Sequence, residues 1–194
     1  MRSLLSLVTA LLLALVLQVP VTLAQGPAAG AEPEAPSDAV FEGSLDLSTL
    51  PPNPPDYMSE SVGNVTWDFP RQAESDAREL IAAWRPAWDG IEADLGEALD
   101  STMRIRIARN ATEMRALAPV GSPPPEYAAG VAYPSLGLVL LTFTAPQGVE
   151  PPDIQKVMVH ELSHVALHRA VRGNPVPRWF TEGLAIHQAG ELSF

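Results

Sequence analysis

The 194-residue sequence predicts an α+β fold, a small mixed or antiparallel sheet packed on two helices close to the C-terminal end. Three observations predict it. Met103-Arg104-Ile105-Arg106-Ile107-Ala108 alternates apolar and charged residues, the period of a half-buried strand. Ala77, Leu80, Ile81, Trp84, Trp88, Ile91 and Leu95 recur near helical spacing. The order along the chain is then strand, helix, strands, helix, helix, which separates the sheet from the last helices as α+β domains do.

The N-terminus reads as a targeting segment. Arg2 supplies a positive charge, Leu4 to Val19 is almost continuously apolar, and Thr22-Leu23-Ala24 places small residues where a signal peptidase reads. Residues 1–24 are expected to be a signal peptide cleaved after Ala24, leaving an exported protein, periplasmic or extracellular. The alternative is an uncleaved N-terminal anchor, although the run falls short of the roughly 20 apolar residues that span a bilayer. Residues 25–60 are rich in Pro and Ala, and Leu50-Pro51-Pro52-Asn53-Pro54-Pro55 lacks the donors of a helix or a ladder. They are expected to form a disordered linker before a domain at 61–194.

Within that domain Val62 to Phe69 reads as one strand, closed by Pro70. Arg71 to Leu99 follows as a helix that Pro86 should kink or split. Trp84 and Trp88, one turn apart, are expected to pack in the core. Ala111 to Leu117 is a short helix, and Pro119 to Tyr127 a loop. Gly130 to Tyr133 and Leu136 to Phe143 form a hairpin across Pro134-Ser135. Asp153 starts a helix that runs to about Val171 and is stopped by Gly173-Asn174-Pro175. Phe180 to Ala189 is the last helix.

Composition narrows the function. The formal net charge is −11, so a nucleic-acid partner or an anionic membrane surface is not expected. The absence of cysteine excludes disulfides, thiolate metal sites and thiol nucleophiles, so any metal must be held by His, Asp or Glu.

His160-Glu161-Leu162-Ser163-His164 has the form H-E-x-x-H and lies well inside the predicted Asp153–Val171 helix. Residues four apart share a helix face, so two imidazoles at that spacing can converge on one ion. Zinc accepts neutral imidazole and wants about four ligands. Glu161 then points beside the metal, where it can take a proton from water. Val157, Val159, Leu162, Val165 and Ala166 give the helix apolar surface to bury. The third ligand lies elsewhere. His168 is ruled out as a partner of both imidazoles, because it lies about 12 Å along the axis from His160 at 1.5 Å per residue. A Gly and a further His would extend the motif at 167 and 170, but those positions hold Leu167 and Ala170. Glu182 is the better candidate, at the start of a helix that a short loop lets fold back.

H-E-L-S-H, followed across a proline-containing loop by Pro177-Arg178-Trp179-Phe180-Thr181-Glu182-Gly183-Leu184-Ala185, resembles the gluzincin metallopeptidases. More narrowly it resembles the bacterial peptidase MA-like domains. The resemblance spans roughly Val62 to Phe194, and its specific motifs lie between His160 and Ala185. It implies a zincin-like domain with His160, His164 and Glu182 as zinc ligands and Glu161 as the general base in peptide-bond hydrolysis. A peptide or protein substrate is implied, pairing with a sheet edge that the resemblance places at Gly137 to Leu141.

Several family features have no assigned counterpart here. An oxyanion donor downstream of the third ligand would have to be His187, while Tyr127 and Tyr133 lie upstream. The position after Ala185, often acidic in the family, is Ile186. No carboxylate for the far nitrogen of a ligand imidazole can be assigned. Trp179 is read as a packing residue. The family usually continues for further helices, which suggests a C-terminally truncated or naturally short domain. The alternative function is therefore a catalytically weak or inactive exported zinc-binding or scaffold module. N-terminal sequencing of the protein from its host is expected to read Gln25 first; a chain beginning at Met1 would favour the anchored form.

Overall fold

Hairpins at both ends and crossovers between them build a mixed sheet. The computed structural model describes residues 48, 50–96, 98–144 and 151–191. Its elements are β1 (Tyr57–Val62), β2 (Val65–Pro70), α1 (Glu74–Leu95), β3 (Met103–Ala108), α2 (Ala111–Leu117), β4 (Gly130–Tyr133), β5 (Leu138–Thr142), α3 (Ile154–Ala170) and α4 (Arg178–Gln188). The expected signal peptide and most of the expected linker lie outside the described residues. Those described belong to a unit spanning Glu42–Phe194.

The five strands run in the order β1-β2-β3-β5-β4. β1 pairs with β2 and β4 with β5 antiparallel, whereas β2–β3 and β3–β5 are parallel. Parallel neighbours need a crossover, and α1 supplies the one between β2 and β3. The mixed form of the expected sheet is the one found.

Alternation along the strands divides two apolar layers. Val139 and Leu141 of β5 join Trp67, Ile105, Trp84, Trp88, Leu162 and Val165 in the core beneath α1 and α3. Leu138 and Leu140, on the opposite face, pack with Met114 and Leu117 of α2 and with Tyr133. Trp84 and Trp88 are core residues, as their spacing predicts.

Four sequence expectations need correction. The strand read at Val62–Phe69 is the end of β1, a turn and β2, with Val62 paired to Val65. Gly63 has φ +60. The two-residue turn Gly63-Asn64 needs such a left-handed conformation, and Gly takes it without a Cβ penalty. The linker boundary at 60 is also too late, since β1 starts at Tyr57. Proline removes donors but leaves acceptors, so this segment still docks. Arg106, 2% exposed, donates to Pro51 O at 2.8 Å, to Leu117 O at 2.8 Å and to the Asn53 side chain. It also lies 3.6 Å from buried Asp68.

Pro86 does not split α1, and the helix ends earlier than expected, at Gly96 in the left-handed conformation. The bond that Pro86 cannot make would go to Ala82, and both residues are exposed to water. On the other side, buried Trp84 and Trp88 hold the helix to the sheet. Finally, the strand read as the sheet edge, Gly137 to Leu141, is β5, which lies between β3 and β4. Among the described residues the edges are β1 and β4. The hairpin returns β4 to the outside because β3 already occupies the other side of β5.

Replacing Arg106 with Met leaves Asp68 buried beside a partly exposed Arg104 and frees the carbonyls of Pro51 and Leu117. A loss of about 3–5 kcal/mol is expected, as for a broken buried pair. Urea denaturation of the variant against wild type measures it.

Candidate metal centre

The site is built on α3. Asp153 caps its start, accepting from the N–H groups of Gln155 and Lys156. Leu162, Val165 and Ala166 are fully buried against the sheet and α1. That fixes the helix's rotation and turns His160 and His164 toward a cleft of about 620 Å³. Their ring centroids lie 5.0 Å apart.

After α3 the chain turns through Arg172 and Gly173, both at positive φ, and re-enters a helix behind Pro177. α4 packs on α3 and carries Glu182 to the imidazoles. Glu182 Oε2 lies 3.5 Å from His160 Nε2 and 3.9 Å from His164 Nε2. One donor atom from each of His160, His164 and Glu182 falls within 4.8 Å of the other two, so the group could hold a metal ion. Two imidazole nitrogens and one carboxylate oxygen, open to a cleft, form the donor set of a three-ligand site with a free position. Burial, with His160 alongside, holds His164 below its ordinary pKa against the pull of Glu182. A neutral imidazole is the form that binds a metal.

Glu161 occupies a different environment. It is 9% exposed and accepts a backbone hydrogen bond from Ala132 of β4. Burial pushes its pKa from the ordinary 4.5 up to about 8; the charges of Glu182 and Glu191 add to the rise, and the Ala132 bond opposes it. The close approach of β4 requires glycine at 130. A Cβ there would lie 2.6 Å from Val157 Cγ1 and 2.9 Å from Glu161 Cγ. Sequence reading assigned Gly130 only to a strand, because a contact between a strand and a distant helix leaves no local signal.

The remaining candidates are separated by the fold. Tyr127 is exposed and lines the cleft. Tyr133 is buried and its hydroxyl donates to Ser122 O at 2.6 Å, so it serves the fold. His168 lines the far part of the cleft, beyond the three-residue group. His187 is exposed and does not line the cleft. Trp179, expected to pack, is instead 75% exposed and meets Phe180 edge-to-face at 5.8 Å. The buried face of α4 is made by Ala185, so the first turn projects past α3.

One residue was missed. Glu191 Oε1 lies 3.2 Å from His160 Nδ1, on the side of the ring away from Glu182. Its distance in sequence from either motif hid it.

Comparison with protein-family models, with curated proteins and with solved structures gave no match.

The buried acid sets a pH dependence for the metal-free protein. Because the folded state holds the Glu161 proton more tightly than the unfolded chain, the stability that Glu161 contributes is fully present below about pH 4.5 and is lost as the pH rises to about 8. Between pH 5 and pH 8 the urea midpoint of the wild type should fall relative to that of Glu161→Gln, which lacks the titrating proton.

Proposed function

We propose that the protein is an exported zinc-dependent peptide hydrolase of the gluzincin type, with a zincin-like arrangement of sheet and helices. The observation that carries the reading is the convergence of His160, His164 and Glu182 within 4.8 Å, with Glu161 buried beside them at the wall of an open cleft. Zinc fits two imidazoles and a carboxylate with one position left open. His160, His164 and Glu182 would hold it. When bound, zinc acts as a Lewis acid that makes water nucleophilic near neutral pH.

The chain's own groups do the rest. Glu161 lies next to His160 in sequence, and the hydrogen bond from Ala132 orients its carboxylate. A cation at the neighbouring site favours the ionised form against the pull of burial. Glu161 then accepts a proton from the attacking water and returns it to the leaving amine. An environment that raises its affinity for a proton suits the second of these tasks.

The free edge supports a peptide as substrate. Thr142 N–H donates to Ala129 O at 2.9 Å, which continues the β4–β5 register and leaves the backbone groups of Gly130 and the carbonyl of Ala132 facing outward, while the Ala132 N–H is held by Glu161. Both residues line the cleft. An extended peptide laid along β4 would meet those groups within reach of Glu161. Tyr127, exposed at the cleft, would meet such a peptide.

Zinc-loaded protein is expected to hydrolyse an unstructured substrate such as casein. Glu161→Gln should lower turnover by a factor of about 10² or more while zinc stays bound. Glu182→Ala should lose zinc by elemental analysis. Equal rates for native protein and Glu161→Gln would defeat the enzyme reading and leave a zinc-binding module.

A further inference from the structure

We infer that Glu191 is a positioning residue of the metal centre, holding the His160 ring through its far nitrogen so that Nε2 faces the ion. The inference rests on the metal reading above and goes beyond its ligand set.

The geometry comes from the way α4 ends. Gly190 takes φ +62, its N–H bonds to His187 O at 3.1 Å, and the Glu191 N–H reaches Ile186 O at 3.1 Å. This closing turn needs a left-handed residue, here Gly190, and it reverses the chain just past the helix. Glu191 is thereby swung back over α3. Lys156 Nζ donates to Gly190 O at 3.2 Å, and the Ser163 hydroxyl donates to Gln188 Oε1 at 2.6 Å. Lys156, His160 and Ser163 are spaced four and three residues apart, so they share one face of α3. The 188–191 segment is tied to that face at three places, and Glu191 is the central one.

The consequence is chemical. His160 lies between two carboxylates, with Glu182 at 3.5 Å from Nε2 and Glu191 at 3.2 Å from Nδ1. A carboxylate at Nδ1 keeps the proton on that nitrogen and leaves the lone pair of Nε2 for a metal. It also fixes the ring plane and raises the basicity of the ligand. Ile186, one turn beyond Glu182, cannot do this; the turn at Gly190 brings an acid from further along the chain.

The experiment measures the zinc dissociation constant by competition with a chromogenic chelator for wild type, Glu191→Ala, Glu191→Gln and Glu182→Ala. Glu191→Ala is expected to weaken zinc about 10- to 100-fold. Glu191→Gln, which keeps an acceptor without the charge, should lose less. The cobalt(II)-substituted variants should show altered visible bands, while the metal-free proteins unfold at unchanged temperature. Gly190→Ala, which strains the turn without touching the ring, should weaken zinc in the same direction. If wild type and Glu191→Ala bind zinc alike while Glu182→Ala does not bind, Glu191 has no such role and the ligand set stands. If wild type fails to bind, or Glu182→Ala binds as tightly, the metal reading falls and this inference with it.

Discussion

The packing of α3 between the sheet and α4 is the constraint on which the site depends. One side of the helix buries Leu162, Val165 and Ala166 among the residues of α1 and the strands. That burial removes apolar area from water at about 25 cal/mol per Å². It also fixes the rotation of the helix, and the rotation decides where His160 and His164 point. The second contact, with α4, brings Glu182 across. A third, with the edge strand β4, covers Glu161. Two imidazoles on one helix face are a local fact; their meeting with a carboxylate is the product of these contacts.

Electrostatics follow from that packing. Glu161, Glu182 and Glu191 lie close enough that the latter two raise the proton affinity of the first. With Glu161 buried and two partly exposed carboxylates beside it, the metal-free site favours the protonated form of Glu161. A divalent cation among them reverses the sign of the interaction.

The edge strand β4 lines the same cleft as the two imidazoles. β4 is short and antiparallel to β5, and its outward backbone groups share the cleft with the two imidazoles. Glycine at 130 lets the strand approach α3 until Val157 and Glu161 fill the space a side chain would take. The Ala132 bond ties the carboxylate to this strand.

Features controlled by local chemistry were readable from the order of residues alone. Alternation located β3, helical spacing located α1, and a capping Asp followed by H-E-x-x-H located α3 and its paired imidazoles. Glu182 was legible because its segment opens a helix after a short loop and resembles the gluzincin pattern. The rest needed tertiary structure, for identifiable reasons. Gly63-Asn64 carried a hairpin signal, but the apolar alternation around it continued through the turn. Strand order could not be read, because periodicity gives the faces of a strand and not its neighbours; β4 therefore holds the edge expected of β5. Trp179 looks like core by composition, yet its position on the first turn of α4 leaves it in solvent. Gly130, Arg106 and Glu191 act through contacts between segments far apart in sequence, and the folded chain alone decides which distant groups meet.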